Sequence, residues 1–156
     1  VRKLVWDTFA LINLKEGDSS GYSPAHSLWK DLSDGWIDIP YQNIIPAIAA
    51  FEIPATVSRV RREGGKMLHE FYIMGDNEIL YPIDQEFVYA ANAIVTLPGF
   101  DKLRGADLIF ACIAKLEDAW LITLDKGFAA VSGQITVVDL NESRREPKYR
   151  SLFDRS

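Results

Sequence analysis

Leu4-Val5-Trp6-Asp7 and Trp120-Leu121-Ile122-Thr123-Leu124-Asp125 are built alike, each a short, mostly apolar run that stops on an aspartate. Neither run alternates between apolar and polar residues, as a strand with one wet face would. Each reads as a strand buried on both sides, the kind found in parallel sheets covered by helices. The segments between them carry helical spacing, so strands alternate with helices along the chain. That order predicts an α/β fold, a three-layer α/β/α sandwich with a mainly parallel central sheet. In such sheets the working residues gather at the carboxyl ends of the strands. Asp7 and Asp125 stand at two such ends.

Working outward from these runs, residues 8–14 read as a helix capped by Asp7 or Thr8, and residues 15–21 as a loop. Ser23-Pro24 is a helix start, with Ser as cap and Pro in the first turn. That helix should run to about Asp34 and turn Leu28 and Leu32 inward. Alternation in Trp36-Ile37-Asp38-Ile39-Pro40 suggests a second strand. Residues 44–53 are helical in composition, and Pro54 is expected to kink or restart that helix before it ends at Gly64-Gly65. A further short helix is expected over 66–74, and a third strand over 79–82. Phe87, Ala90, Ala91, Ile94 and Val95 follow the i, i+3, i+4, i+7, i+8 spacing of an amphipathic helix, which Pro98-Gly99 breaks. Residues 106–118 form the most apolar helix, and residues 135–138 a last strand. Residues 1–140 read as one domain. Residues 141–156 read as a polar tail with Arg144, Arg145, Lys148 and Arg150, poorly ordered or docked on a partner.

Composition limits the function classes. The chain has 156 residues, 48% of them hydrophobic, enough for a core without disulfides. Its single cysteine, Cys112, lies in an apolar run and reads as a small buried hydrophobe. The net charge of −5 argues against a protein that coats nucleic acid unaided, but it leaves a metal-using nuclease open. No apolar stretch approaches the ~18 residues of a membrane span, and Asp7 comes too early for a signal peptide. The expectation is a soluble, cytoplasmic protein with no membrane partner.

Four acids stand out, and each has a plain alternative. Asp7 can cap a helix, Asp125 can serve a turn, and Asp107 can favour a helix N-terminus through the dipole. Glu52 is the one charge in Ala47-Ile48-Ala49-Ala50-Phe51-Glu52-Ile53. Buried alone it would be costly, so it needs either a cation such as Arg59 or a shared polar site. Taken together, carboxylates gathered at one sheet edge repel one another unless a cation joins them. Oxygen donors suit Mg²⁺ or Mn²⁺. No His/Cys set suggests zinc; His26 and His69 stand alone in helical contexts. No Gly-rich phosphate loop or Gly-x-Ser-x-Gly elbow is present.

These motifs, in this order, resemble those of PIN-domain ribonucleases, especially VapC-like toxins of toxin–antitoxin pairs. Val5-Trp6-Asp7-Thr8 is similar to the family's first strand and leading acid. Pro46 through Glu52 is similar to the segment that delivers the second acid. Arg104-Gly105-Ala106-Asp107-Leu108-Ile109 resembles the third-acid motif, and Leu121 through Phe128 the closing one. Phe9 stands where many relatives carry Asn or Ser, Gly127 where some place another acid, and Pro54 follows closely on the second acid. The resemblance implies a Rossmann-like sandwich, a Mg²⁺ or Mn²⁺ site and endoribonuclease activity on an RNA substrate. It also implies homodimerisation and inhibition by a small antitoxin protein. Asp7, Glu52, Asp107 and Asp125 would then be the catalytic and metal-holding acids. Thr8 and Thr123 would fix their rotamers, and Arg104 and Lys126 would contact RNA phosphates. Water activated by the metal would attack the phosphodiester in line, leaving a 5′-phosphate and a 3′-hydroxyl. The alternative is a weak or inactive site on the same fold, acting as a binding module through protein or RNA contacts.

Overall fold

A computed structural model describes residues 1–20, 23–62, 75–143 and 145–154. Its centre is a five-stranded sheet in the order β3-β2-β1-β4-β5, with every neighbouring pair parallel. The strands are β1 (Arg2–Trp6), β2 (Tyr41–Pro46), β3 (Glu78–Tyr81), β4 (Trp120–Thr123) and β5 (Val137–Asp139). The main helices are α1 (Thr8–Ser20), α2 (Pro24–Ser33), α3 (Ala47–Arg62), α4 (Gln85–Ala91) and α5 (Gly105–Leu116), with a short α6 (Arg150–Phe153). The architecture is a three-layer α/β/α sandwich. Among the described residues no helix is long and apolar enough to cross a membrane.

The unbroken apolar runs explain the central strands. Leu4, Val5 and Trp6 in β1 and Leu121 and Ile122 in β4 are inaccessible to water, which only a strand covered on both faces achieves. Trp6 meets the edge of Trp29 at 5.1 Å between ring centres, and its indole N–H donates to Asn43 Oδ1 at 2.9 Å. The one polar atom of the largest core side chain is therefore satisfied. Strand order also positions the working edge. The chain moves outward from β1 to β2 and β3, then returns to lay β4 on the other side of β1. This reversal between β1 and β4 is the topological switch point of an open parallel sheet, where a crevice opens at the carboxyl ends.

Several local expectations are corrected. Residues 15–20, expected as loop, continue α1 to Ser20. Gly17, Asp18 and Ser19 are weak helix formers, but α1 packs along α2, and tertiary contact overrides propensity. The two helices are also tied end to side. Ser23 Oγ donates to the Asn13 carbonyl at 2.7 Å, and Asn13 Oδ1 accepts from the Ala25 N–H at 3.2 Å. The strand expected at 36–40 lies instead at Tyr41–Pro46. Gly35 takes φ +78, and the Ile37 N–H reaches back to the Asp31 carbonyl at 3.0 Å, so this segment folds onto the end of α2. Trp36 is left exposed and Ile37 is buried. Ile44 and Ile45, read as helical, are the buried end of β2, and α3 begins at Ala47. It continues through Pro54 to Arg62.

Helix α4 is shorter than its spacing implied. It starts on the Asp84 cap and ends at Ala91, leaving Ile94 and Val95 half-buried in the turns that follow. Gly99 is required there. It adopts φ +90, and a Cβ at this position would stand 1.9 Å from the Ala130 carbonyl oxygen. The expected helix over 66–74, the stop at Gly64-Gly65, Arg144 and His69 lie outside the described residues.

Over residues 145–154 the C-terminal segment packs on the rest of the chain. Tyr149 and Phe153 are buried, and Phe153 packs against Trp120 at 5.0 Å. The Tyr149 hydroxyl sits between Ser27 Oγ at 2.7 Å and Asp31 Oδ2 at 2.6 Å. Arg150 donates to both Asp31 oxygens, at 2.8 and 2.9 Å. Composition suggested a poorly ordered or partner-docked tail because it could not show that Arg150 has a partner on α2.

Candidate active site

Asp7 follows β1 directly and is held by its backbone as well as its side chain. Its N–H donates to the Ile122 carbonyl at 3.1 Å, extending the β1–β4 pairing by one residue. Its carbonyl accepts the Leu11 N–H, and Oδ1 accepts the Ala10 N–H at 2.7 Å, so Asp7 does cap α1. The other oxygen, Oδ2, accepts the hydroxyl of Thr123. Only 2% of Asp7 is exposed. Burial lifts its pKa to about 6. The bonds from Thr123 and Ala10 pull the other way, and the charges of Asp107 and Asp125 push it further up.

Thr123, the last residue of β4, is inaccessible to water. Its hydroxyl donates to Asp7 and accepts the Asp125 N–H at 2.8 Å, so one side chain spaces two acids from adjacent strands. Asp125 caps the 3-10 turn over Lys126–Val131 and accepts the Gly127 N–H at 2.8 Å. It is both a turn residue and a neighbour of Asp7. The preceding residue is anchored from the 3-10 turn that follows β5. Asn141 Nδ2 donates to the Leu124 carbonyl and to Asp139 Oδ1. Nothing in the sequence singles out Asn141, because this contact depends on the pairing of β4 with β5.

Asp107 lies in the first turn of α5 and is half-buried. Burial raises its pKa, and the charges of Asp125 and Glu52 add to the effect. Glu52, half-buried on α3, accepts the Thr8 hydroxyl at 3.3 Å. Among the described residues no ion pair joins it to Arg59. Asp7, Asp107, Asp125 and Glu52 therefore belong to one electrostatic neighbourhood: the first senses the next two, and Asp107 also senses Glu52. Arg104 precedes α5 and Lys126 opens the turn after β4. Both are exposed beside this neighbourhood. Cys112 is buried, and burial lifts its thiol to about 11, which leaves it inert.

The donor set consists of carboxylate oxygens without imidazole or thiolate, which matches the preference of Mg²⁺ or Mn²⁺. The spacing is looser than the chemistry. Among the described residues no three His, Cys, Asp or Glu side chains stand close enough together to ligate one ion. The acids are thus near enough to perturb one another but not gathered on a common point. Of the four, Asp7 is clamped in place by two hydrogen bonds, whereas the bond from Thr8 to Glu52 is longer, at 3.3 Å.

No protein-family model matches the chain, and no curated protein matches it. Solved structures do. A chain of a toxin–antitoxin complex from Klebsiella pneumoniae superposes with a TM-score of 0.56 at 22% identity, covering 88% of this chain and 97% of that one. A chain of VapBC2 from Rickettsia felis, bound to a DNA fragment from its promoter, superposes with a TM-score of 0.58 at 11% identity, covering 88% and 98%. At these identities the likeness is one of fold, a PIN-like α/β/α sandwich shared with chains of toxin–antitoxin complexes.

Proposed function

We propose that this chain is a Mg²⁺- or Mn²⁺-dependent endoribonuclease and the toxin of a VapBC-type toxin–antitoxin pair. The observation that carries the reading is the state of Asp7: a buried carboxylate at the switch point of the sheet, with the charges of Asp107 and Asp125 acting on it. Capping α1 engages one of its oxygens but does not call for like charges around it. Two hydrogen bonds satisfy it, yet burial and like charges still hold its pKa near 6, a standing cost to stability. Sites that bind cations or polarise substrates carry costs of this kind.

In this reading a bound divalent cation supplies a Lewis acid for the phosphodiester and a means of activating water. The chain's own residues do the positioning. Thr123 and the Ala10 N–H hold Asp7 in one rotamer, and Thr123 also sets the start of the Asp125 turn. Thr8 steers Glu52. Asp107 enters from the first turn of α5, while Arg104 and Lys126 stand exposed for the flanking phosphates. The reading extends to a small antitoxin protein as inhibitor, a homodimer as working form and the cytoplasm as location. The shared fold with chains of toxin–antitoxin complexes supports the protein partner.

One observation backs a second reading better than the first, a PIN-fold binding module with a weak or inactive site acting through protein or RNA contacts. It is the spacing of the acids, which brings no three donors together among the described residues. One experiment separates the two. Purified protein is incubated with RNA in Mn²⁺, in EDTA, and in EDTA with Mn²⁺ restored, beside Asp107→Asn. The nuclease reading expects cleavage that EDTA abolishes, Mn²⁺ restores and Asp107→Asn loses. Cleavage equal in wild type and variant would sink it, and Mn²⁺ binding too weak to titrate with no cleavage would establish the binding module.

A further inference from the structure

The line of hydrogen bonds that reaches Asp7 from β4 begins further out, on the turn after β5. Leu124 is the first residue beyond β4, so strand pairing no longer fixes the peptide between it and Asp125. Side chains hold it instead. Asn141 Nδ2 donates to the Leu124 carbonyl, and Thr123 Oγ1 accepts the Asp125 N–H at 2.8 Å. The carbonyl and the N–H belong to one planar, trans peptide unit, point to opposite sides of it and turn together. A rotation that breaks the bond at one end therefore breaks the bond at the other.

The same clamp sets the direction of the next bond. A hydroxyl has one proton, and with the Thr123 oxygen accepting the Asp125 N–H that proton goes to Asp7 Oδ2. Hydrogen bonds in such a series polarise and strengthen one another. Asn141 is itself held in place. Its backbone N–H and its Nδ2 both donate to Asp139 Oδ1, each at 2.9 Å, and Asp139 pairs with Thr123 across β4 and β5. The side-chain nitrogen carries two N–H groups, and they match two acceptors, the Leu124 carbonyl and Asp139. A carboxylate of the same size would present only acceptors to both. We infer that Asn141 is a positioning residue of the acid site. Its amide fixes the Leu124–Asp125 peptide, and through that peptide both the start of the Asp125 turn and the Thr123 hydroxyl that holds Asp7. What the positioned acids do rests on the nuclease reading; the clamp does not.

The clamp is read first in metal-free protein, by native-state amide exchange of Asn141→Ala and the isosteric Asn141→Asp. Each should speed exchange of the Asp125 N–H by roughly 2- to 10-fold. The Leu121 N–H, which donates to the Thr136 carbonyl at 2.9 Å, should keep its wild-type rate and reports that the β4–β5 pairing is intact. An unchanged Asp125 rate, or one that rises only in step with Leu121, would overturn the inference and leave Asn141 a residue of the fold alone. Cleavage of RNA in Mn²⁺ reads the consequence. Asn141→Ala should lower kcat by ~10-fold and leave KM for RNA unchanged. In a Thr123→Val background, where the line is already cut, the same change should cost roughly threefold or less. An unchanged kcat, a loss confined to KM, or losses from the two positions that multiply in full would also overturn it. Wild type that cleaves no RNA, with Asp125 exchange still faster in both variants, would defeat the nuclease reading and leave the clamp standing.

Discussion

Replacing Asp7 by Asn should make the cation-free protein more stable near neutral pH and less so in acid. The buried carboxyl has a pKa of about 6 where an unfolded chain has 3.8. At ~1.4 kcal/mol for each tenfold change in proton affinity, that gap corresponds to about 3 kcal/mol. The sign follows from which state holds the proton. Well above pH 6 the group is ionised in both states, and the folded chain bears the whole penalty. As pH falls through about 6 the folded carboxyl takes up a proton first, and the penalty shrinks. Below 3.8 both states are protonated and it vanishes. Asparagine is nearly isosteric and neutral throughout. In EDTA at about pH 8, Asp7→Asn should therefore gain up to about 3 kcal/mol, or roughly 6–12 °C in Tm for a chain of this size. By about pH 4 the gain should fall below ~1 kcal/mol. Urea melts of both proteins between these limits measure it. Mn²⁺ at about a hundred times its dissociation constant should add ~2.7 kcal/mol to the wild type alone and nearly close the gap. A gap of constant size across the pH range would refute the argument. So would a variant that is less stable than wild type in EDTA at the alkaline end.

Two further outcomes test the supports around the site and the C-terminal clasp. Thr123→Val removes the hydroxyl that donates to Asp7 and accepts from the Asp125 N–H, so it should lower cleavage by ~10- to 100-fold and move the acid limb of the pH–rate profile upward, while Thr123→Ser retains both; an unchanged profile would remove Thr123 from the machinery. Tyr149→Phe deletes the hydroxyl between Ser27 and Asp31 and should cost about 1–2 kcal/mol, with faster amide exchange over residues 145–154. Burial works against the Asp31 carboxylate, but the bonds from Arg150 and Tyr149 outweigh it and hold its pKa below the ordinary value. The clasp is thus at full strength above 3.8 and weakens as pH falls through the lower folded value, opposite in sign to Asp7. Wild-type exchange rates in the variant would show that the clasp does not hold the segment.

The strands that end in Asp7 and Asp125 were legible because their signal is local: a continuous apolar run can be satisfied only between two covering layers. The helix start at Ser23-Pro24 was legible for the same kind of reason, and the helix expected over 106–118 runs from Gly105 to Leu116. The position of β2 was not. Ile44-Ile45-Pro46 is apolar throughout, and such a run fits a buried strand as well as a buried helix; its pairing with β1 and β3 decides the matter. The end of α1 was equally hidden, since the weak helix formers near Gly17 give no local signal for the helix that runs on to Ser20 beside α2.

The acids divide along the same line. Residue type and order name Asp7, Glu52, Asp107 and Asp125 as a candidate set. Which acids feel each other's charge, and that Thr123 spaces two of them, exists only once β4 lies beside β1 and α5 is docked. The Asp31–Tyr149 bond joins residues 118 positions apart, and no window of sequence contains both. Periodicity and capping report on neighbours along the chain. Burial, charge coupling and long-range hydrogen bonds depend on neighbours in space, which the packed sheet alone creates.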